Sequence, residues 1–268
     1  MSKVLIVNAD DLGISRSRNA AIEEGYKNGV LTSASLMVNG EYFDEAIDII
    51  RRCGDLSVGV HLNIVEGKAL IADSPLADKN GAFKRGFVGI LLRSGGKSFQ
   101  KAVEAEFRAQ IELAKSVCRV DHIDSHVHTH AIPPIFKIAA KLANEYQIPF
   151  IRTQYESAYI TPRINKIFTV KYPVNLVKIA LLNLFTKINA KHIPKPLKTN
   201  DAVIGVGYTG MMDVDTIKYG VRAAKEGVIE IIAHPDLNSS ELDMILDASV
   251  KDYAPITSYA RLRLEYER

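Results

Sequence analysis

Val4-Leu5-Ile6-Val7-Asn8-Ala9-Asp10-Asp11 is a short apolar run that ends in two carboxylates. The same construction recurs at Val58-Gly59-Val60-His61 and at Val120-Asp121-His122-Ile123-Asp124-Ser125-His126-Val127-His128-Thr129-His130. A fourth run, Val228-Ile229-Glu230-Ile231-Ile232-Ala233, ends at His234-Pro235. Apolar runs of this length read as buried strands. In a parallel α/β architecture, residues just past the strand ends gather on one face, where the chemistry sits. A carboxylate pair and several imidazoles meeting there point to a metal-dependent hydrolase.

Working outward from these runs, strand and helix alternate. Strands are expected at 3–9, 33–38, 57–62, 148–153, 202–205 and 227–233, besides the histidine-rich run. Ser15 can cap a helix that Gly29 stops after Asn28. Further helices are expected at 42–52, 99–117, 134–146 and 214–225. Residues 64–96 read as a long irregular loop, of the kind that often forms an active-site lid. Repeated βα units imply a parallel sheet with helices outside. The number of strands favours a closed or nearly closed barrel over an open sheet. No internal repeat or linker interrupts the 268 residues, so 1–268 reads as a single domain.

Composition narrows the classes. Apolar residues make up 47% of the chain, enough for a large core, and the net charge of +3 is too weak to argue for nucleic acid. Cys53 and Cys118 have no metal-type spacing and read as free thiols of a reducing compartment. No signal-peptide pattern or bilayer-length apolar stretch is apparent, so a cytoplasmic protein is expected. Residues 157–200 stand apart. They hold no Asp or Glu, yet carry Arg163, Lys166, Lys171, Lys178, Lys187, Lys191, Lys195 and Lys198 around an apolar helix near 174–185. Such a segment can lie on an anionic membrane, giving peripheral contact at the inner membrane face. It can equally pack on the barrel with its lysines solvated, or form a homodimer contact.

Asp10 and Asp11 can divide labour, one binding a metal and the other acting as a base. Alone, such a pair more often shapes a turn or caps a helix. In an extended chain His122, Asp124, His126 and His128 share one face, and histidines in that number are costly to bury without partners. They need not all be ligands; some can orient others or touch substrate. His234, exposed where Pro235 stops a strand, suits a general acid, since imidazoles titrate near ~6.5. Arg152 can orient Asp10 or hold a carboxylate, or it can sit in a surface ion pair.

Asn8-Ala9-Asp10-Asp11-Leu12-Gly13, Gly59-Val60-His61-Leu62, His122-Ile123-Asp124-Ser125-His126-Val127-His128 and Ala233-His234-Pro235 together resemble the YdjC-like carbohydrate deacetylases, which include the chitooligosaccharide deacetylases. The resemblance runs in order over nearly the whole chain. It implies a distorted TIM-like (β/α) barrel of the glycoside hydrolase/deacetylase type, and removal of an N-acetyl group from an amino sugar with release of acetate. By it, Asp11, His61 and His126 bind one divalent ion, Mg²⁺ or Zn²⁺. Asp10 is the general base and His234 the general acid. Asp124, His128 and Arg152 are left for substrate contact or for orienting the ligands. Leu12 stands where the family often has Phe, and Asp236 where Gly often follows His-Pro. The basic insertion is closer to the branch acting on lipid-linked sugars than to the one acting on soluble chitobiose.

Two rival functions share these residues. Asp124-Ser125-His126-Val127-His128-Thr129 echoes the opening motif of histidinol-phosphatase-type phosphoesterases, which carry it near the chain start rather than centrally. A non-catalytic saccharide-binding barrel needs no acid–base set, and here one is present.

Overall fold

The computed structural model describes residues 2–267. In chain order the elements are β1 (Lys3–Leu12), α1 (Arg16–Asn28), β2 (Ser33–Leu36), α2 (Phe43–Arg52), β3 (Ser57–Leu62), α3 (Phe87–Arg93), α4 (Lys97–Val117), β4 (His122–Ser125), α5 (Pro133–Glu145), β5 (Phe150–Ile151), α6 (Lys171–Asn189), β6 (Ala202–Ile204), α7 (Val214–Ala223), β7 (Gly227–Ala233), α8 (Ser240–Leu246), β8 (Ile256–Thr257) and α9 (Tyr259–Tyr266). The strands run parallel in the order β5-β4-β3-β2-β1-β7-β6, with β8 added beside β1. The sheet curls into a distorted TIM-like barrel with helices outside. Its two ends meet through irregular backbone. The Val203 N–H donates to the Tyr155 carbonyl at 2.7 Å, and the Thr153 N–H to the Asn200 side-chain oxygen at 2.7 Å.

Strand alternation divides the core. On β1, Leu5, Val7 and Ala9 join the large cluster between sheet and helices, while Ile6 joins Phe150, Val228, Tyr259 and Leu262 in a smaller one. The residues in phase with Ile6 are Asn8 and Asp10, which places Asp10 above that smaller cluster on the same side of the strand. Ser15 caps α1 by accepting from the Arg18 N–H, and the helix stops at Gly29. A side chain at Gly29 would place Cβ 2.4 Å from the Ile245 carbonyl oxygen, so only glycine fits there.

Two expectations are corrected, and one unread stretch gains elements. The 64–96 stretch is not wholly irregular, since it contains α3 and antiparallel bridges joining Lys68 to Ala82 and Ala77 to Phe83. Chain after His234, left unassigned by the sequence pattern, supplies α8, β8 and α9. The histidine-rich run is not extended throughout. It leaves the sheet at Ser125 and winds into a 3-10 turn over 126–131, with Val127 and His128 at φ +53° and +56°. The alternation that put four side chains on one face therefore ends at Asp124.

Candidate active site

The site lies at the C-terminal ends of the strands. Adjacent residues of a regular strand point to opposite faces, so Asp10 and Asp11 should diverge. They do not, because β1 is irregular here: Asp11 has φ +67° and the pairing with β2 shifts register between Ala9 and Leu12. This bulge swings Asp11 back to the barrel mouth beside Asp10.

Asp11, His61 and His126 each offer one ligand atom, and these atoms lie within 4.8 Å of one another. Asp11 Oδ1 is 3.2 Å from His61 Nε2 and accepts from His126 Nδ1 at 2.8 Å. His61 sits opposite Asp124 in the β3–β4 register, and its Nδ1–H donates to Asp124 Oδ1 at 2.7 Å. That bond turns Nε2 toward Asp11 and fixes the ring, as a carboxylate behind a metal-binding histidine does. The far nitrogen of His126 is 3.2 Å from Glu66, an exposed residue of the 64–96 segment. Burial alone would lower the His61 imidazole, yet Asp124, Asp10 and Asp11 outweigh it and raise it to about 10. Burial would raise Asp11, but hydrogen bonds from His126 and His61 hold it well below the usual carboxylate range. These surroundings favour a cation. Two imidazoles and a carboxylate are a donor set for a divalent transition ion, with positions left for water and substrate.

Two other groups converge as closely, namely Asp10, His61 and Asp124, and His122, Asp124 and Glu230. Neither is free for an ion, because a guanidinium already occupies them. Arg152 is fully buried, not in a surface pair. It donates to both oxygens of Asp10 at 2.8 Å, approaches Asp124 at 2.6 Å and bonds Glu230 at 2.7 Å. Tyr259 donates to the other Glu230 oxygen at 2.7 Å. Burial would raise Asp124, but Arg152 and His61 hold it below the usual range. Burial wins at Glu230, which is raised despite Arg152. Asn8 bonds Asp10 at 2.8 Å and Ser35 at 2.9 Å, and Ser35 donates in turn to Asp124.

His234 stands on the other side of Asp10, its Nε2 4.0 Å from Asp10 Oδ2. Glu241 accepts from its backbone N–H and lies 3.8 Å from its Nδ1. His128, by contrast, joins none of the ligand clusters among the described residues. It is buried in the 126–131 turn with its Nδ1 unpartnered, and burial lowers its imidazole strongly. His130 is structural: Nε2–H donates to the Arg152 carbonyl at 2.9 Å and Nδ1 accepts from Ser125. His122 stacks on Tyr259 at 4.2 Å, and burial lowers it to about 4. Its ring lies so close to the backbone that a Cβ on Gly59 would sit 2.2 Å from its Nε2, which is why Gly-Val-His opens with glycine.

Sequence reasoning missed Glu230, Tyr259, Ser35, Glu66, Arg18 and Glu241. Glu230 left a visible signal, a lone charge inside an apolar strand. Arg18 donates to Asp11 at 3.2 Å and lies 3.7 Å from Asp236, so Asp11 and Asp236 share one guanidinium without touching each other.

Residues 4–266 match the model of the YdjC-like protein family. A carbohydrate deacetylase of Thermoanaerobacter pseudethanolicus is 28% identical over 90% of this chain and 84% of its own length. One from Brevibacillus brevis is 41% identical over 54% of this chain, and the aligned part spans 57% of that protein. Among solved structures, a candidate cellobiose-phosphate cleavage protein of Enterococcus faecalis V583 superposes with a TM-score of 0.73, covering 98% of this chain and 99% of its own. At 24% identity that likeness speaks to the fold alone.

Proposed function

The chain belongs to the YdjC-like protein family, and from that premise and the geometry above we propose that it is a metal-dependent carbohydrate N-deacetylase. It hydrolyses the N-acetyl group of an amino sugar within an oligosaccharide or lipid-linked saccharide and releases acetate. The observation that carries this reading is one juxtaposition. A three-ligand cluster, Asp11–His61–His126, stands beside a carboxylate pinned by Arg152 and an imidazole 4.0 Å from it.

An amide resists hydrolysis because its carbonyl is a poor electrophile and its amine a poor leaving group. When bound by Asp11, His61 and His126, a divalent ion such as Zn²⁺ or Mg²⁺ supplies Lewis acidity toward water and the acyl oxygen. Asp10 takes the proton from the attacking water. Arg152 and Asn8 hold its two oxygens so that it cannot rotate away. As the C–N bond breaks, protonated His234 gives its proton to the sugar nitrogen, and Glu241 keeps that ring at the rim. Acetate and a free amine result.

Mass spectrometry of a panel of N-acetylated oligosaccharides and polyprenyl-linked sugars tests the proposal, the expected product being lighter by one acetyl group. Turnover of none of them, with phosphate release from sugar phosphates instead, would move the chain to the phosphoesterase class. Burial of His128 away from the ligand cluster speaks against that alternative.

A further inference from the structure

Helix α6 answers only half of the question raised by the basic insertion. One face packs on the barrel, burying Asn175, Ile179, Leu182 and Phe185. The face turned away is also apolar. Val174, Val177 and Leu184 are 62, 71 and 52% exposed, and the chain entering the helix adds Phe168 and Val170 at 80 and 85%. Positions 170, 174, 177 and 184 recur at helical spacing, so they form a single outward stripe. No helix among the described residues is long and apolar enough to cross a membrane.

We propose that this outward stripe docks the chain on an anionic lipid bilayer, lying in the interface with its lysines over the headgroups. The charge around it selects that occupant. Residues 157–200 hold eight basic residues and no acidic one. Arg163 and Lys166 are engaged by Asp213 and Asp215, and Lys178 turns inward to Thr209. Lys187 and Lys191 remain exposed at the C-terminal end of the helix, and the charges of Lys191 and of Lys137 on α5 both bear on His192. A second copy of the chain would bring these cations against themselves, whereas lipid phosphates complement them. A second patch lies beside the same opening. Helix α3 exposes Val88 and Leu92 at 66 and 81% and carries Arg93. Both α3 and α6 touch the 126–131 turn that holds His126. This surface would bind lipid whatever reaction the site performs.

Co-sedimentation of the full chain tests it, with phosphatidylglycerol–phosphatidylcholine vesicles against pure phosphatidylcholine at low and high salt. The chain should pellet with the anionic vesicles at low salt, and high salt should release it because screening shortens to a few ångströms. Val174→Glu with Val177→Glu should abolish pelleting while keeping the parental melting curve, since both side chains are exposed. Lys187→Glu with Lys191→Glu should weaken it by at least about tenfold. A chain that stays in the supernatant with anionic vesicles at low salt overturns the proposal. So does a parent that runs as a dimer and is split by the Val174→Glu, Val177→Glu pair, which would assign the stripe to a second copy.

Discussion

Replacing Asp10 by Asn separates its two jobs, proton acceptor and partner of Arg152. The carboxylate accepts three hydrogen bonds, two from Arg152 and one from Asn8, all at 2.8 Å. An asparagine offers one acceptor oxygen. Its best orientation keeps the oxygen on Arg152 Nη2 and Asn8 and turns the amide N–H₂ toward Arg152 Nη1. One charge-assisted bond is lost, worth about 1.5–3 kcal/mol. Part of that is offset, because Asp124 and Glu230 still surround the same guanidinium and no longer repel a third carboxylate. A net loss of about 1–2 kcal/mol, or roughly 2–4 °C in Tm for a chain of this size, leaves the variant folded at room temperature. Turnover should fall much further, by about 10²–10⁴-fold in kcat, because an amide cannot take the water proton. Metal content should stay at the wild-type level, since Asp11, His61 and His126 are untouched. Acetate release, elemental analysis and a thermal melt on the same preparation read all three. Retention of more than about a tenth of kcat in folded, metal-replete protein would refute the base assignment. A stability loss of more than about 5 kcal/mol together with loss of metal would show instead that Asp10 is structural.

Other outcomes follow from the same geometry. His61→Ala and His126→Ala should each lose the divalent ion by elemental analysis while keeping a native circular dichroism spectrum; full occupancy in both would remove them as ligands. His234→Ala should slow an N-acetyl substrate far more than an acetyl ester with a good leaving group, because only the amine needs protonation, and equal losses would exclude it as the acid. Glu66→Gln should weaken ion affinity by about tenfold or more through His126, measured by competition with a chelator, and unchanged affinity would make the 3.2 Å contact incidental.

The strand-ended runs made the barrel and much of its mouth legible, because hydrophobic runs report burial and the ends of parallel strands report position. Local backbone departures were not legible. Nothing in Asp10-Asp11 announces that φ of Asp11 is +67°, yet that angle lets neighbours face the same way. Periodicity extended β4 through His128, whereas the chain leaves the sheet at Ser125. The error matters chemically, because it would have made His128 an equal of His126. Arg152 could be read as orienting Asp10, but its full charge balance could not. Glu230 lies 78 residues away in sequence, and only the β1–β7 register brings its strand alongside Asp10. Glu66 lies in a loop whose path follows from tertiary contacts, with no pattern of its own.

The contact between Glu66 and His126 ties together two properties usually treated as separate. Glu66 belongs to the 64–96 segment, which reaches the candidate site through this contact, whereas His126 belongs to the cluster that would hold the ion. If Glu66→Gln weakens ion affinity as predicted, a lineage that reshapes this segment for a new substrate would change its hold on metal in the same step. Loops with the best fit for a substrate can then fail in a metal-poor cell, and libraries selected for altered specificity should be screened at more than one ion concentration.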